Sequence, residues 1–262
     1  MPSAPPRSAG LALTLAATVC GNLFLVAGTL LFALLAILAA LVPPFGQHVH
    51  GVARAWARCV LAASFVRLAV EHENGRPPAP DAGCVYVANH ESLFDIPALL
   101  AALPGPTRFL AKASLFRIPV FGWALRLGGF VPVDRGHTER GRRSFRSALA
   151  HLGRGVSVLV FPEEERSLDG RVLPFRRGGL LLALRTGLPI VPAGLDGAFE
   201  VQPRRSFLIR PRTVHVRFGA PIDLAGQSVR RIHALSDALR ARVAELARAD
   251  LAPEPRADAD PA

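Results

Sequence analysis

The chain has 262 residues, of which 50% are hydrophobic, and a formal net charge of +11 from 31 Lys and Arg against 20 Asp and Glu. This composition excludes a disordered chain, and three widely separated cysteines exclude a disulfide scaffold or a zinc site built from cysteines alone, which indicates a reducing compartment. The positive charge favours an anionic partner, and composition alone leaves nucleic acid, lipid headgroups and a phosphorylated substrate open.

The first predicted element is a long apolar helix. No Asp, Glu, Lys or Arg occurs from Ser8 to Ala53. Because about 20 apolar residues span a bilayer, we expect residues 10–45 to be transmembrane or membrane-embedded, after a flexible start at residues 1–9. One helix from residue 11 to 42 would be about 48 Å long, so it must tilt, overhang or break near Gly21. A cleaved signal peptide, the alternative, has a much shorter apolar region.

Basic residues are concentrated on the C-terminal side of this segment. Only Arg7 precedes it, whereas Arg54, Arg58 and Arg67 follow it, and this asymmetry predicts that the bulk of the chain is cytoplasmic. Residues 46–70 are predicted to be an amphipathic linker helix, because Arg54 and Arg58 are four residues apart and share a face. Such a helix would lie on the bilayer or pack on the following domain, and the pattern does not decide between them.

The remaining chain predicts an α/β fold, with a mixed, mostly buried sheet flanked by helices, over residues 71–250. Residues 251–262 are rich in Pro, Ala and Asp and predict a disordered tail. Strand-like runs occur at residues 84–88, 108–111, 129–133, 157–161, 189–195 and 213–218. Helical patterns occur at residues 93–103, 120–127, 139–152, 178–186 and 228–249.

A polar segment from Asn89 to Asp95 directly follows the first of these strands. Ser92 suits a helix N-cap, and Asp95 three residues later would complete a capping box, which is a purely structural role. Within a regular helix, His90 and Asp95 would point about 140° apart, so the two side chains meet only if His90 precedes the helix. Asp95 would then fix the imidazole tautomer and leave the other nitrogen to accept a proton from a hydroxyl.

The sequence lacks the motifs of two other catalytic mechanisms. An HExxH zinc site requires histidine at position 94, where the chain has Phe94, and no GxSxG nucleophile elbow occurs. A His–Asp base without a protein nucleophile therefore remains, and it implies direct attack by a substrate alcohol.

Further polar groups follow other predicted strands. Glu163 and Arg166 lie just past one strand, at the edge where α/β sheets favour ligands. A solvated acidic turn would also explain this segment, above all Glu164 and Glu165, and Arg166 could equally pair with a neighbouring glutamate. Lys112 is the only lysine of the chain, and it ends one predicted strand as Arg135 ends another, so both could converge on a phosphate. Glycines such as Gly178 and Gly194 would cap a helix or admit an acyl chain.

Taken in order, these segments resemble the 1-acylglycerol-3-phosphate acyltransferase (PlsC-like) family over residues 67–218. The family's NHxxxxD block is matched by Asn89, His90 and Asp95, and its Gly-Phe block ending in Arg by Gly129, Phe130 and Arg135. Its FPEGTRS block is matched at Phe161, Pro162, Glu163, Arg166 and Ser167, and its late hydrophobic-proline block around Val191 and Pro192.

The resemblance implies an enzyme of the cell membrane whose acyltransferase domain is on the cytoplasmic face. It would move a fatty acyl group from acyl-CoA or acyl-carrier protein to the free hydroxyl of 1-acylglycerol-3-phosphate, making phosphatidic acid. His90, oriented by Asp95, would be the general base; Lys112, Arg135 and Arg166 would hold the phosphate, and Glu163 would orient its loop. We expect no covalent acyl-enzyme, metal, cofactor or nucleic-acid partner.

The sequence departs from the family pattern at Glu164 and Glu165, which replace the usual Gly-Thr. Two carboxylates pointing into a phosphate pocket would repel the phosphate. This leaves open a different acceptor, such as lyso-ornithine lipid or another lysophospholipid, and also a non-catalytic lipid-binding protein. The basic stretches at residues 140–154 and 204–217 suit an anionic leaflet or a solvated surface.

Overall fold

The described residues of the computed structural model are 10–43, 48–76, 83–133, 155–224 and 231–253. They form a seven-stranded mixed sheet flanked by helices, which confirms the predicted α/β class. The strands are β1 (Arg67–His72), β2 (Val85–Ala88), β3 (Thr107–Lys112), β4 (Val131–Val133), β5 (Ser157–Val160), β6 (Ile190–Asp196) and β7 (Thr213–Phe218). The helices are α1 (Leu11–Leu23), α2 (Thr29–Ala40), α3 (Val49–Ala63), α4 (Asp95–Ala102), α5 (Phe121–Leu127), α6 (Arg177–Thr186), α7 (Ala198–Val201) and α8 (Ile232–Ala247).

The strand order is β1-β7-β6-β2-β5-β3-β4. Neighbours from β6 to β4 are parallel, β7 is antiparallel to β6, and β1 is parallel to β7. Every residue of the central strands β2 and β5 is buried, which explains their continuous apolar sequences. The parallel strands place their carboxyl ends at one edge of the sheet.

Alternate side chains of β2 enter two cores, one on each face of the sheet. Tyr86 and Ala88 pack in the core that includes residues of α3 and α4, whereas Val85 and Val87 pack in the core that includes residues of α6 and α8. This alternation follows from the two-residue period of a strand. The sheet is therefore covered by helices on both faces, and a ligand would reach it where the strands end.

Gly194 of β6 shows how closely a helix approaches the sheet. A methyl group at this position would overlap the backbone of Leu246 and Ala247 in α8. Gly178, at the start of α6, has open space around the equivalent position. Gly194 therefore serves the packing of α8 on β6, a structural role that differs from the helix cap predicted from the sequence.

The apolar segment forms one helix from Leu11 to Ala40, in which a π-helical turn at Phe24–Gly28 joins α1 to α2. By length and composition it is the one helix among the described residues that could cross a membrane, a test that core helices and signal sequences also pass. Small residues are buried along one side, and leucines and valines are exposed along the other. The helix does not break at Gly21, and its irregular turn begins at Phe24 instead.

Both halves of this helix contact the domain. In α1, Thr18 Oγ1 accepts a hydrogen bond from the Ile209 backbone at 3.0 Å, and the Asn22 amide donates to the Phe207 carbonyl at 2.8 Å. In α2, buried alanines form a core with residues of α3 and α5. The helix therefore lies along the domain, and does not project away from it.

The predicted linker helix ends earlier than its sequence pattern suggests. α3 stops at Ala63, and residues 67–70 belong to β1, so the strand begins before the domain start predicted at residue 71. β1 pairs with β7, whose residues are far away in sequence, and local periodicity cannot reveal such pairing. α3 buries residues such as Val60 in the core and so packs on the domain.

The predicted helix at residues 139–152 and most of the predicted tail lie outside the described residues. At the start of that tail, Leu251 forms a bridge with Val172, and the Ala252 backbone N–H donates to the Val172 carbonyl at 2.9 Å. The chain is thus still paired with the domain at these positions.

Candidate active site

The carboxyl edge of the parallel strands gathers the described candidate residues. His90 and Asp95 follow β2, Glu163 and Arg166 follow β5, and Lys112 ends β3. These strands are neighbours in the order β2-β5-β3. Phe109 of β3 is paired with Leu159 of β5. Lys112 comes three residues after Phe109 and Glu163 four residues after Leu159, so both follow this pair at the carboxyl ends of their strands. Open α/β sheets bind ligands at this edge.

The imidazole of His90 and the carboxylate of Asp95 are in contact. Nδ1 of His90 lies 2.7 Å from Oδ2 of Asp95. The same oxygen accepts hydrogen bonds from the backbone N–H groups of Glu91 at 2.7 Å and Ser92 at 2.9 Å. Asp95 is fully buried, while the His90 side chain is 13% exposed. The chain between them turns back on Asp95, so His90 precedes the helix, as contact between the two side chains requires.

The helix start differs from the predicted capping box. α4 begins at Asp95, and the Ser92 hydroxyl accepts a hydrogen bond from the Phe94 backbone at 3.2 Å, while it donates to the Gln202 carbonyl at 2.9 Å. One of the two hydrogen bonds of a capping box is present, because Oδ2 of Asp95 accepts a hydrogen bond from the Ser92 backbone N–H. Asp95 thus has a structural role in the turn as well as contact with His90.

Glu163 links the two motif loops. Its Oε1 accepts a hydrogen bond from the His90 backbone at 2.8 Å, and its Oε2 accepts one from Leu173 at 3.0 Å. The His90 carbonyl in turn accepts a hydrogen bond from the Ser167 backbone at 2.8 Å. The His90 ring stacks on Phe161, with ring centroids 4.3 Å apart. The imidazole is therefore fixed from three sides: by Asp95, by the Phe161 ring and through its own backbone.

Burial governs the electrostatics of Glu163. The carboxyl group is almost completely buried, and this desolvation raises its pKa to about 8, although its two backbone hydrogen bonds act in the opposite direction. The charge of Asp95 nearby raises the pKa further, and Arg240 lowers it.

Asn89 and Glu91, the two neighbours of His90, hold the surrounding chain. The sequence predicts no role in the site for either, beyond the match of Asn89 to the family's first block. The Asn89 amide donates to the Leu195 carbonyl at 3.0 Å and accepts from the Leu195 N–H at 2.8 Å, so it fastens β2 to β6. Glu91 accepts a hydrogen bond from the Phe199 backbone at 2.9 Å. Burial, with the nearby Asp95 charge, raises the pKa of Glu91 well above its ordinary value. A glutamate beside the motif histidine is the only sequence signal for this role.

The two departures from the family pattern are paired with arginines. Glu164 lies 3.6 Å from Arg176, and Glu165 lies 2.8 Å from Arg204. Arg204 also donates to the Arg166 carbonyl at 2.9 Å. Glu164 adopts φ +60°, a left-handed conformation that favours glycine, which is the usual residue at this position of the family block. Each added carboxylate is therefore balanced by a cation, and one of them is held in a strained backbone.

The remaining candidates differ in how far the structure describes them. Lys112 is exposed at the end of β3, and Arg166 is half-buried in the loop after β5. Arg135 and the basic stretch at residues 140–154 lie outside the described residues. In the part of the chain that the structure describes, no three His, Cys, Asp or Glu side chains are grouped so that they could hold a metal ion.

Comparisons with known proteins agree with this fold. The Acyltransferase family matches residues 67–196, which include β1 to β6 and the His90 and Glu163 motifs. The chain is similar to the 1-acyl-sn-glycerol-3-phosphate acyltransferase of Pseudomonas aeruginosa, with 28% identity over 230 residues, 87% of this chain and 89% of that protein. It is 36% identical over 157 residues to the chloroplastic 1-acyl-sn-glycerol-3-phosphate acyltransferase BAT2 of Brassica napus, which is 60% of this chain and 45% of that protein.

A solved structure extends the similarity to most of the chain. The crystal structure of the 1-acyl-sn-glycerophosphate (LPA) acyltransferase PlsC from Thermotoga maritima superposes with a TM-score of 0.74 at 26% identity, over 92% of this chain and 98% of that chain. The chain spans about half the length of the first curated relatives it matches, at 45%, 57% and 43%. The fold defines an acyltransferase domain. Residues 67–196 belong to the Acyltransferase family, and the chain has the fold of PlsC.

Proposed function

We propose that this protein is a membrane-associated 1-acylglycerol-3-phosphate O-acyltransferase that uses acyl-CoA or acyl-carrier protein as donor and makes phosphatidic acid. The observation that carries the proposal is the contact between His90 and the buried Asp95 at the carboxyl edge of the sheet. Relatives from bacteria and plants that are named for this activity support the choice of acceptor.

In the proposed reaction, the nucleophile is the free hydroxyl of the acceptor lipid. Asp95 accepts a hydrogen bond from Nδ1–H of His90, which leaves the unprotonated Nε2 to take the hydroxyl proton as the oxygen attacks the thioester carbonyl. The tetrahedral intermediate then breaks its C–S bond, and the leaving thiolate takes the proton from Nε2. Asp95 stabilises the imidazolium between these steps. General-base catalysis of this kind contributes about 10²–10⁴-fold to a rate.

Charged groups at the same edge would place the acceptor. Lys112, Arg135 and Arg166 would hold its phosphate, and Glu163 positions His90 through the backbone contact at 2.8 Å. Backbone N–H groups of the loop after β5 would stabilise the oxyanion. The reaction needs no metal or organic cofactor beyond the acyl thioester, and the partners are the lipid and the acyl donor.

The arginine partners of Glu164 and Glu165 support a phosphate-bearing acceptor. Each carboxylate lies within 4 Å of a guanidinium, so neither adds an unbalanced negative charge to the loop. The repulsion that a lone carboxylate would exert on a phosphate is therefore reduced. A different lyso-lipid remains as an outcome of the acceptor assay below.

The apolar helix would attach the enzyme to the cytoplasmic face of the membrane. It contacts the domain through both α1 and α2, and its leucine-rich side is exposed along its length. A helix fastened in this way would lie in the surface of one leaflet with its exposed side in the lipid. The lipid acceptor would then reach the site without leaving the bilayer.

The test is acyl transfer by the purified His90→Ala variant, with acyl-CoA or acyl-carrier protein and a panel of lyso-lipids. We expect the wild type to prefer 1-acylglycerol-3-phosphate and His90→Ala to lose activity while its thermal unfolding is unchanged. His233→Ala, which alters an exposed histidine on α8, is the matched control. A wild-type rate in His90→Ala would refute the general-base role, and preference for another lyso-lipid would refute the acceptor assignment.

A further inference from the structure

Helix α5 packs on the apolar helix with one face and exposes the other. Ala124 of α5 is buried in the core that contains Ala33, Ala36 and Ala40 of α2. On the other side, Trp123 is 56% exposed and Leu127 is 47% exposed. These two residues are four apart and so share a face of the helix.

The exposed face continues into the turn before α5. Ile118 is 43% exposed. We call Ile118, Trp123 and Leu127 the α5 patch. Single exposed apolar residues are common on soluble proteins, but grouped ones indicate an interaction surface.

The α5 patch is on a helix that packs against the apolar helix. Leu34, Leu38 and Leu41 at the end of α2 are exposed, and α2 is the helix on which α5 packs. The two apolar surfaces therefore belong to neighbouring elements.

The residues around the patch suit the boundary of a lipid bilayer. Arg117 and Arg126 are exposed beside it, and the Arg126 guanidinium lies 5.9 Å from the centre of the Phe116 ring. Tryptophan is enriched at membrane interfaces, and arginine beside apolar residues suits contact with anionic headgroups. The apolar helix on which α5 packs also exposes leucines, which favours a bilayer over a protein partner as the surface that covers the patch.

We propose that the α5 patch inserts into the same bilayer leaflet as the apolar helix and is a second, separate contact with the lipid. The proposal rests on the membrane association proposed above. The chain joins the patch closely to the sheet. β3 ends at Lys112, and the short 3-10 helix Ala113–Arg117 leads directly from it to Ile118. The patch is thus attached to the sheet edge where His90 lies, and its insertion would turn that edge towards the lipid.

Tryptophan fluorescence tests the insertion directly, because the chain has two tryptophans. In a Trp56→Phe variant, Trp123 is the only tryptophan. We expect its emission to shift to shorter wavelength with vesicles of phosphatidylcholine and phosphatidylglycerol, and to be quenched by lipids brominated on their acyl chains. Emission that stays at long wavelength and is quenched by aqueous iodide, on protein that floats with the vesicles, would overturn the proposal.

The complementary variant gives the control. Trp123→Phe leaves Trp56, whose indole donates a hydrogen bond to Thr29 Oγ1 at 3.1 Å between α3 and α2. Bromine on the acyl chains should quench this residue less than Trp123. Equal quenching of the two tryptophans would show insertion of the whole helical region and would contradict a distinct role for the patch.

A second experiment separates the patch from catalysis. We expect Ile118→Gln with Leu127→Gln to lower acyl transfer to vesicle-embedded acceptor by about threefold or more, and to leave transfer to a short-chain acceptor in detergent unchanged. Leu251→Gln, at a residue of similar exposure (46%), is the matched control and should change neither rate. Equal loss in vesicles and detergent would refute the proposal. Because the fluorescence result needs no turnover, it stands even if the proposed activity fails.

Discussion

Nδ1 of His90 and Oδ2 of Asp95 lie 2.7 Å apart, and that same oxygen accepts the backbone N–H groups of Glu91 and Ser92. One carboxylate oxygen thus shapes the turn and orients the ring. The other oxygen, Oδ1, is buried without a hydrogen-bond partner among the described residues. Separating the structural role of Asp95 from its proposed catalytic role therefore requires more than one substitution.

Asp95→Asn should separate the two roles. Its amide oxygen can replace Oδ2 and keep the turn, while the negative charge that supports an imidazolium is lost. We expect a loss of about 10²-fold or more in kcat with thermal unfolding close to that of the wild type. Asp95→Ala removes the acceptor of both backbone N–H groups and should also lower the unfolding temperature. Wild-type kcat in Asp95→Asn would show that the charge is not used.

Glu163 should make the stability of the protein depend on pH. Burial raises its pKa to about 8 from an ordinary 4.5, so between these values the folded state keeps a proton that the unfolded state has lost. The free energy of unfolding should therefore fall as pH rises through this window, by about 1.4 kcal/mol per pH unit, and level off above it.

Glu163→Gln, which cannot ionise, should lack this contribution. Denaturant unfolding of the detergent-solubilised wild type and variant at pH 5, 6, 7 and 8 measures the difference between their slopes, so groups that titrate equally in both proteins cancel. Parallel curves would show that Glu163 is charged in the folded protein throughout the window.

Substitutions at Glu164 measure its backbone strain. A left-handed conformation costs a residue other than glycine about 1 kcal/mol, whereas the exposed pair with Arg176 contributes roughly 0–1 kcal/mol. Glu164→Gly and Glu164→Ala both remove the ion pair, and only the glycine also relieves the strain. We expect Glu164→Gly to be more stable than Glu164→Ala by about 1 kcal/mol in denaturant unfolding. Equal stabilities would mean that the left-handed conformation is not populated.

Gly194→Ala should destabilise the domain. Its methyl group would overlap the backbone of α8, and backbone moves less readily than a side chain, so we expect a loss of about 3 kcal/mol. Gly178→Ala, at an open position in α6, should be neutral or stabilising by up to about 1 kcal/mol. Denaturant unfolding of both variants tests the contrast, and a mild effect at Gly194 would show that α8 can move away from β6.

Local sequence patterns predicted most of the described sheet but not β1. The buried runs of β2, β5 and β6 are apolar and β-branched, and they depend little on distant partners. Residues 67–72 are an edge strand with exposed positions, and they continue the amphipathic pattern of α3. Only their pairing with β7 makes them a strand, and sequence periodicity carries no information on that contact.

The motifs placed four site residues after predicted strands: His90, Asp95, Glu163 and Arg166. They did not predict the ion-pair partners of Glu164 and Glu165. Arg176 and Arg204 come from separate segments, and the three-dimensional fold alone brings them to Glu164 and Glu165. The catalytic assignments themselves remain predictions that the variants above test.

The π-helical turn at Phe24–Gly28 has a consequence for how this segment can change in length. Ala17 and Ala40 both face the domain, although 23 residues of regular α-helix would rotate one from the other by about 140°. The π turn absorbs one residue and reduces that mismatch to about 40°. A one-residue deletion inside it is thus compatible with the same two faces if the helix becomes regular. A deletion in α1 or α2 moves every leucine beyond it out of phase with the exposed side.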